Sequence, residues 1–370
     1  MFFLMKCLNF EPKEKGSSSI FFIRNSDKSS RKYLWRVMLL RHLTLLMVGL
    51  VLPAIAEWSS DSDFLTAERL YQAKEFSQAE QLYAQVKLGD ASYPLAQLRL
   101  GTIYYLTERP LQAEKCFSIY LRFKESPEVY CLLSGAQFNQ GKFNLATKSA
   151  QRALQLDPKL AKAYTVLGMI HTAEKDFPRA EANYLEALKL DDKNSDTWFM
   201  YGKALFLHDD FGEAAKAFDR ALKINPQSVR SYENLARTKD TMGDVEGAEQ
   251  SFKQGLTVSR TQKYFDPHIY VEYGEFLLKL GRLTDSLSVL EEGVRIAPRH
   301  AEMRYALSRV YFRMKRLKEA AQEGETALRL GGPDCKIEFL LAQIYTAMGD
   351  SQEASKHAAR AAETAPNSNP

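Results

Sequence analysis

No stretch of this sequence alternates apolar and polar residues with the period of a half-buried strand, which excludes a β fold and leaves an all-α class. The apolar run Leu43 to Leu52 falls short of the roughly 20 residues a membrane-spanning helix needs. Histidine is sparse. Beyond residue 56 it occurs at His171, His208, His268, His300 and His357. No two of these stand three or four apart and none neighbours a cysteine, so the local pairs that mark zinc sites are missing. Of four cysteines, Cys7 lies near the start, leaving Cys116, Cys131 and Cys335.

Neither sign of charge is in excess where it would matter. The chain carries 50 Lys and Arg against 46 Asp and Glu. Residues 1–56 hold nine of the bases and three of the acids, so the remaining 41 and 43 give 57–370 a net charge of −2. A protein that neutralises a phosphate backbone shows a basic surplus, so nucleic acid is excluded as the main partner. Gly141-Lys142 lacks the glycine spacing and the hydroxyl of a phosphate loop, since Phe143 follows it. No Ser-His-Asp, paired-carboxylate or Cys-His set can be assembled from any one stretch. The expectation is a non-enzyme with no catalytic residue, cofactor or metal, and no small-molecule substrate.

What is present is a repeat. Ala161 to Asn194 reads as two short amphipathic helices with a turn at Asp176 and Pro178. Tyr164, Leu167, Gly168 and His171, then Ala180, Tyr184 and Ala187, recur at steps of three and four and so share a helical face. Small residues let the helices approach, and Tyr164, Leu167, Phe177 and Tyr184 fill the space around them. One such hairpin cannot bury its own apolar faces; a second copy follows 34 residues on, at Ser195 to Ser228. There Trp198, Gly202, Ala214, Phe218 and Ala221 fall in register, and Pro226 ends the second helix because proline lacks the needed N–H.

The recurrent pattern W-x2-Y-G, A-x3-F-x2-A and a closing Pro resembles the tetratricopeptide repeat. In phase, copies start near 60, 94, 127, 161, 195, 229, 267, 301 and 335, so the resemblance covers 60–366. The first is degenerate, the second is one residue short, and residues 263–266 read as a four-residue insertion. Residues 367–370 read as a loose tail. The resemblance implies an α-solenoid of about nine helix-turn-helix units, a right-handed superhelix with no room for a catalytic domain. Cys116 falls on a second helix and Cys131 on the next first helix; both, with Cys335, read as buried thiols packing as small hydrophobes, with a Cys116–Cys131 crosslink as the alternative.

Ahead of the repeats, residues 38–56 read MLLRHLTLLMVGLVLPAIA. A short polar start, an apolar core, Pro53 and Ala54-Ile55-Ala56 fit a signal peptide cleaved before Glu57. The alternative is an uncleaved membrane anchor. Residues 1–37 are polar and Ser- and Lys-rich; they read as a disordered leader or as a start site assigned too early, with translation beginning at Met38. The expected location is outside the cytoplasm, periplasmic or secreted, or inner-membrane anchored with the repeats outside.

In the family that this chain resembles, first helices of successive repeats line a groove that takes a peptide or a partner's helix. The two-carboxylate clamp known there is not matched, because residues 165, 169, 199 and 203 are Thr, Met, Phe and Lys. The first helices from 195 onward offer Phe199, Lys203, Phe206, Arg237, Tyr305, Arg309, Phe312 and Arg313, interrupted by Glu233 and Glu275. Aromatics with arginine are favoured at interface hot spots. The sequence thus points to an interaction scaffold of the bacterial cell envelope that binds a protein segment of apolar and acidic character. The alternative is an accessory or assembly subunit of an envelope enzyme or of a secretion- or pilus-type complex.

Overall fold

A computed structural model of the chain describes residues 62–262, 266–332 and 334–364. The leader, the segment 38–56, most of the 263–266 insertion and the 367–370 tail lie outside them. Among the described residues there are eighteen α-helices and no β-strand beyond an isolated bridge between Leu88 and Asp90. They fall into two compact units that divide between Asp176 and Phe177, inside the stretch 161–194.

The first unit holds α1 (Ser62–Gln72), α2 (Phe76–Tyr83), α3 (Tyr93–Leu106), α4 (Pro110–Phe123), α5 (Pro127–Phe138), α6 (Phe143–Leu156) and α7 (Ala161–Ala173). The second holds α8 (Phe177–Leu190), α9 (Ser195–Leu207), α10 (Phe211–Ile224), α11 (Val229–Thr241), α12 (Val245–Thr261), α13 (His268–Lys279), α14 (Leu283–Ile296), α15 (Ala301–Arg313), α16 (Leu317–Gly331), α17 (Cys335–Met348) and α18 (Ser351–Thr364). In each unit, consecutive helices pair as hairpins, and each hairpin packs on the next.

Local chemistry sets the helix ends. Asn194, Ser228 and Asp334 cap α9, α11 and α17 by accepting backbone N–H bonds, and Asp210 and Asp244 cap α10 and α12. Pro158, Pro226 and Pro298 stand just past the ends of α6, α10 and α14. Within every hairpin turn one residue takes a left-handed backbone: Lys74, Glu108, Gly141, Lys175, Asp209, Gly243, Gly281, Lys315 and Gly349. They share one register position, so the turn geometry is fixed whether or not glycine supplies it.

The hairpin crossings are tight because a small residue meets a large one. Gly101 lies under Phe117, Gly202 under Phe218 and Gly274 under Leu290; a Cβ added at Gly202 would come within 2.8 Å of Phe218 Cε1. Phe117, Phe218, Phe252 and Leu290 are fully buried. At three crossings a serine hydroxyl donates to the facing helix's carbonyl: Ser134 to Ala146, Ser286 to Gly274 and Ser308 to Ala320, each at 2.7 Å. Half-buried ion pairs tie neighbouring hairpins, among them Arg109 to Glu80, Lys142 to Glu114 and Arg282 to Glu249. Each of these contributes up to about 1 kcal/mol.

Candidate protein-binding face

In the second unit the first helices touch one another from hairpin to hairpin: α9 to α11, α11 to α13, α13 to α15 and α15 to α17. Second helices instead pack against the first helices on either side. The first helices therefore present a continuous inner layer, and all eight expected site residues stand on it.

The structure brings these residues together as two groups. On α9, Phe199, Lys203 and Phe206 are spaced to share a face. The guanidinium of Arg237 lies over the Phe206 ring, 5.5 Å from its centroid, and that of Arg230 lies 5.1 Å from the Phe199 centroid. Lys203 Nζ is 6.0 Å from the same Phe199 ring. Phe199 itself is buried and packs on Phe218 at 5.8 Å, so it is a floor for the cations and not an open contact. On α15, the Arg309 guanidinium stands 5.8 Å from the Tyr305 centroid. Tyr305 and Phe312 rest half-buried against the core, and Arg313 is exposed.

Between the groups α13 contributes acids. Arg237 pairs with Glu272 at 3.8 Å, Arg309 pairs with Glu275, and Lys279 pairs with Asp240 at 2.8 Å. His268 stands 4.0 Å from Glu302, and Arg230 stands 4.0 Å from Asp196. Lys203 and Glu233 are among the charges of this face that have no ion pair among the described residues. Lys203 is held below the usual lysine range by burial, with Arg230 and Arg237 adding repulsion and Glu233 opposing it. The Glu233 carboxyl is pushed up to about 7, first by burial and then by Glu272 and Asp266, while His268 and Arg237 pull the other way. Burial also raises Glu275, against the pull of Arg309. The face is thus dipolar: cationic and aromatic at α9 and α11, acidic from Glu233 to α13.

Three participants escaped the sequence reading. Arg230 and Glu272 act through partners on neighbouring helices, a relation that spacing within one helix does not show. Phe339 is 60% exposed on α17, in register with Phe199 and Tyr305, and the register could have found it. No three or more His, Cys, Asp or Glu side chains converge as for a metal ion among the described residues. Cys116, Cys131 and Cys335 stand as thiols, the first two buried, and burial pushes the Cys116 thiol up to about 11. No helix among the described residues is long and apolar enough to cross a membrane.

Family models for the tetratricopeptide repeat match residues 133–195, 167–229, 229–262, 277–334 and 339–368, together more than half of the chain. The chain belongs to the tetratricopeptide-repeat family. A search of curated proteins finds no match. Among solved structures, a tetratricopeptide repeat protein from Parabacteroides merdae ATCC 43184 is 16% identical with a TM-score of 0.50, over 68% of this chain and 98% of that one. The APC/C hetero-tetramer Cut9-Hcn1 is 14% identical with a TM-score of 0.51, over 84% of this chain and 61% of that one. Pseudomonas aeruginosa pilF is 20% identical with a TM-score of 0.45, over 65% of this chain and 93% of its own. At such identities the likeness is one of fold. Family and fold together support a protein-interaction scaffold.

Proposed function

We propose that this tetratricopeptide-repeat protein is a non-enzymatic scaffold of the bacterial cell envelope, and that its first-helix face holds an extended segment of a partner protein. The observation that carries this reading is the cluster of Lys203, Arg230 and Arg237 around Phe199 and Phe206. Lys203 has no ion pair among the described residues and sits beside Arg230 and Arg237, so an acidic partner side chain gains a charge-assisted hydrogen bond there and relieves repulsion. Phe206 offers an adjacent apolar contact. An acidic residue flanked by apolar ones is the segment that fits. The envelope assignment rests on residues 38–56, which have the pattern of an export signal or anchor.

Fluorescence polarisation tests the face with two synthetic peptides of equal length, one acidic and aromatic, the other with lysine in place of every acid. The acidic peptide should bind, and Lys203→Glu with Arg237→Glu should weaken it by roughly tenfold or more. Equal binding of the two peptides would overturn the reading. For the location, the measurement is intact mass after osmotic release of cells and again after detergent extraction. A soluble species starting at Glu57 or a detergent-dependent one retaining 38–56 supports an envelope protein. Recovery only from the cytoplasmic fraction removes that assignment.

A further inference from the structure

Along the second unit, a glutamate of one hairpin accepts the phenol of the next at nearly every junction. Tyr201 donates to Glu181 at 2.9 Å, Tyr273 to Glu249 at 3.4 Å, Tyr311 to Glu291 at 2.9 Å and Tyr345 to Glu325 at 3.3 Å. The junction of α10 with α11 departs from this. There the register places of the glutamates fall on Ala215 and Asp219, and those of the tyrosines on Leu235 and Lys239. Asp219 forms no ion pair with Lys239 among the described residues. Lys239 is half-buried, and among the described residues its ammonium meets only the Ser251 hydroxyl, at 3.4 Å. Beside it opens a cleft of about 340 Å³ between α10, α11 and α12, lined among others by Asp219, Leu222, Lys223, Lys239, Ser251 and Gln254.

We propose that this cleft is a carboxylate-binding site in which Lys239, left unpaired by Asp219 at the place where Glu291 and Glu325 stand in their hairpins, takes its counter-charge from outside. An ammonium has three donors, and Lys239 spends one of them, weakly, on Ser251. Lys223 adds a second positive charge at the rim, and the Gln254 amide can donate alongside. Leu222 and Leu235 give the cleft an apolar floor, which suits a carboxylate carried on a short aliphatic stem. That is the chemistry of an aspartate or glutamate side chain of a partner, and equally of a small free dicarboxylate. The site lies between α10, α11 and α12, with Lys239 on α11, and shares no residue with the cluster of Lys203, Arg230 and Arg237.

The test is calorimetric titration of the full chain, at constant ionic strength, with glutarate and with acetyl-Gly-Glu-Gly-amide, using glutaramide as the uncharged control. Saturable binding of either acid is expected with a dissociation constant below about 10 mM, and none of glutaramide. Lys239→Met should weaken it by roughly tenfold. Asp219→Glu, which places a longer internal carboxylate where Glu291 and Glu325 stand in their hairpins, opposite the register place of Lys239, should abolish it while leaving Tm unchanged or higher. Should Lys239→Met fail to fold, Asp219→Glu carries the same readout. Tighter binding of the peptide assigns the carboxylate to a protein partner; tighter binding of glutarate assigns it to a small molecule. No saturable binding of either acid, or binding that Asp219→Glu leaves intact, overturns the site.

Discussion

Tyr345 stacks on His357, with ring centroids 5.4 Å apart and planes 3° from parallel. The imidazole joins the last hairpin to the one before it. Its Nδ1 lies 2.5 Å from Glu338 on α17, and its Nε2 lies 3.0 Å from Glu325 on α16. His357 and Glu338 are both buried, so removing one leaves the other without its partner in a low-dielectric place. His357→Ala should destabilise the C-terminal hairpins by roughly 2–4 kcal/mol. Replacing both residues by leucine should recover most of that loss. Urea unfolding monitored by amide exchange in α17 and α18 is the check, and a single variant as stable as the parent would contradict the coupling.

The crossing of α9 with α10 gives a paired expectation for glycine. At Gly202 a methyl group would strike the fully buried Phe218 ring, which has no open side to move toward. Gly202→Ala should cost roughly 1–3 kcal/mol through overpacking. At Gly212, on the same hairpin, an added Cβ meets nothing within 4 Å. Gly212→Ala should be neutral or gain up to about 1 kcal/mol, because alanine is the better helix former. Thermal denaturation of the two variants should therefore move in opposite directions.

Glu233 makes stability depend on pH. Its folded-state value, about 7, lies above the ordinary 4.5. The folded chain thus holds this proton more tightly than the unfolded chain, and stability falls as pH rises through the window between those values. Glu233→Gln removes the penalty. The variant should match the parent near pH 4 and exceed it by roughly 1–3 kcal/mol at pH 8. Denaturant melts at the two pH values decide the matter; a gap that does not widen with pH would rule it out.

Left-handed turn residues supply a fourth expectation. Lys315 and Asp209 adopt φ near +60, and Gly281 fills the same place at +75. A side chain there carries a steric cost that glycine lacks. Lys315→Gly and Asp209→Gly should each stabilise by roughly 0.5–1 kcal/mol, and Gly281→Ala should destabilise by about as much. Parallel Tm measurements on the three variants test this.

The helices were legible because the same constraint recurs, as at Gly101 with Phe117, Gly202 with Phe218 and Gly274 with Leu290. A small residue facing a large one, set in phase, cannot recur from solubility alone, so the all-α repeat could be read from Gly202, Phe218 and their equivalents. The left-handed turns were not, since glycine marks only Gly141, Gly243, Gly281 and Gly349, while lysine, aspartate or glutamate holds the other turns without announcing a strained backbone. The binding face was legible as a helix side and not as a surface. Periodicity placed Phe199 on the same side as Lys203, and could not tell that the ring would lie beneath two cations and against Phe218. The pairing of Arg237 with Glu272 and of Arg309 with Glu275 joins residues more than thirty positions apart and depends on the stacking of hairpins.

The serine hydroxyls at the hairpin crossings have a consequence for how such a chain can change. Ser134 and Ser308 donate from the first helix, whereas Ser286 donates from the second. Their opposite numbers are Ala146, Ala320 and Gly274, and the crossing of α9 with α10 uses Gly202 and Ala214. What the crossing fixes is the combined volume of two residues and not the identity of either. A substitution on one helix is admissible only with a matching reduction on the other. The two positions of each hairpin are therefore expected to vary jointly, each pair independently of the pairs above and below it.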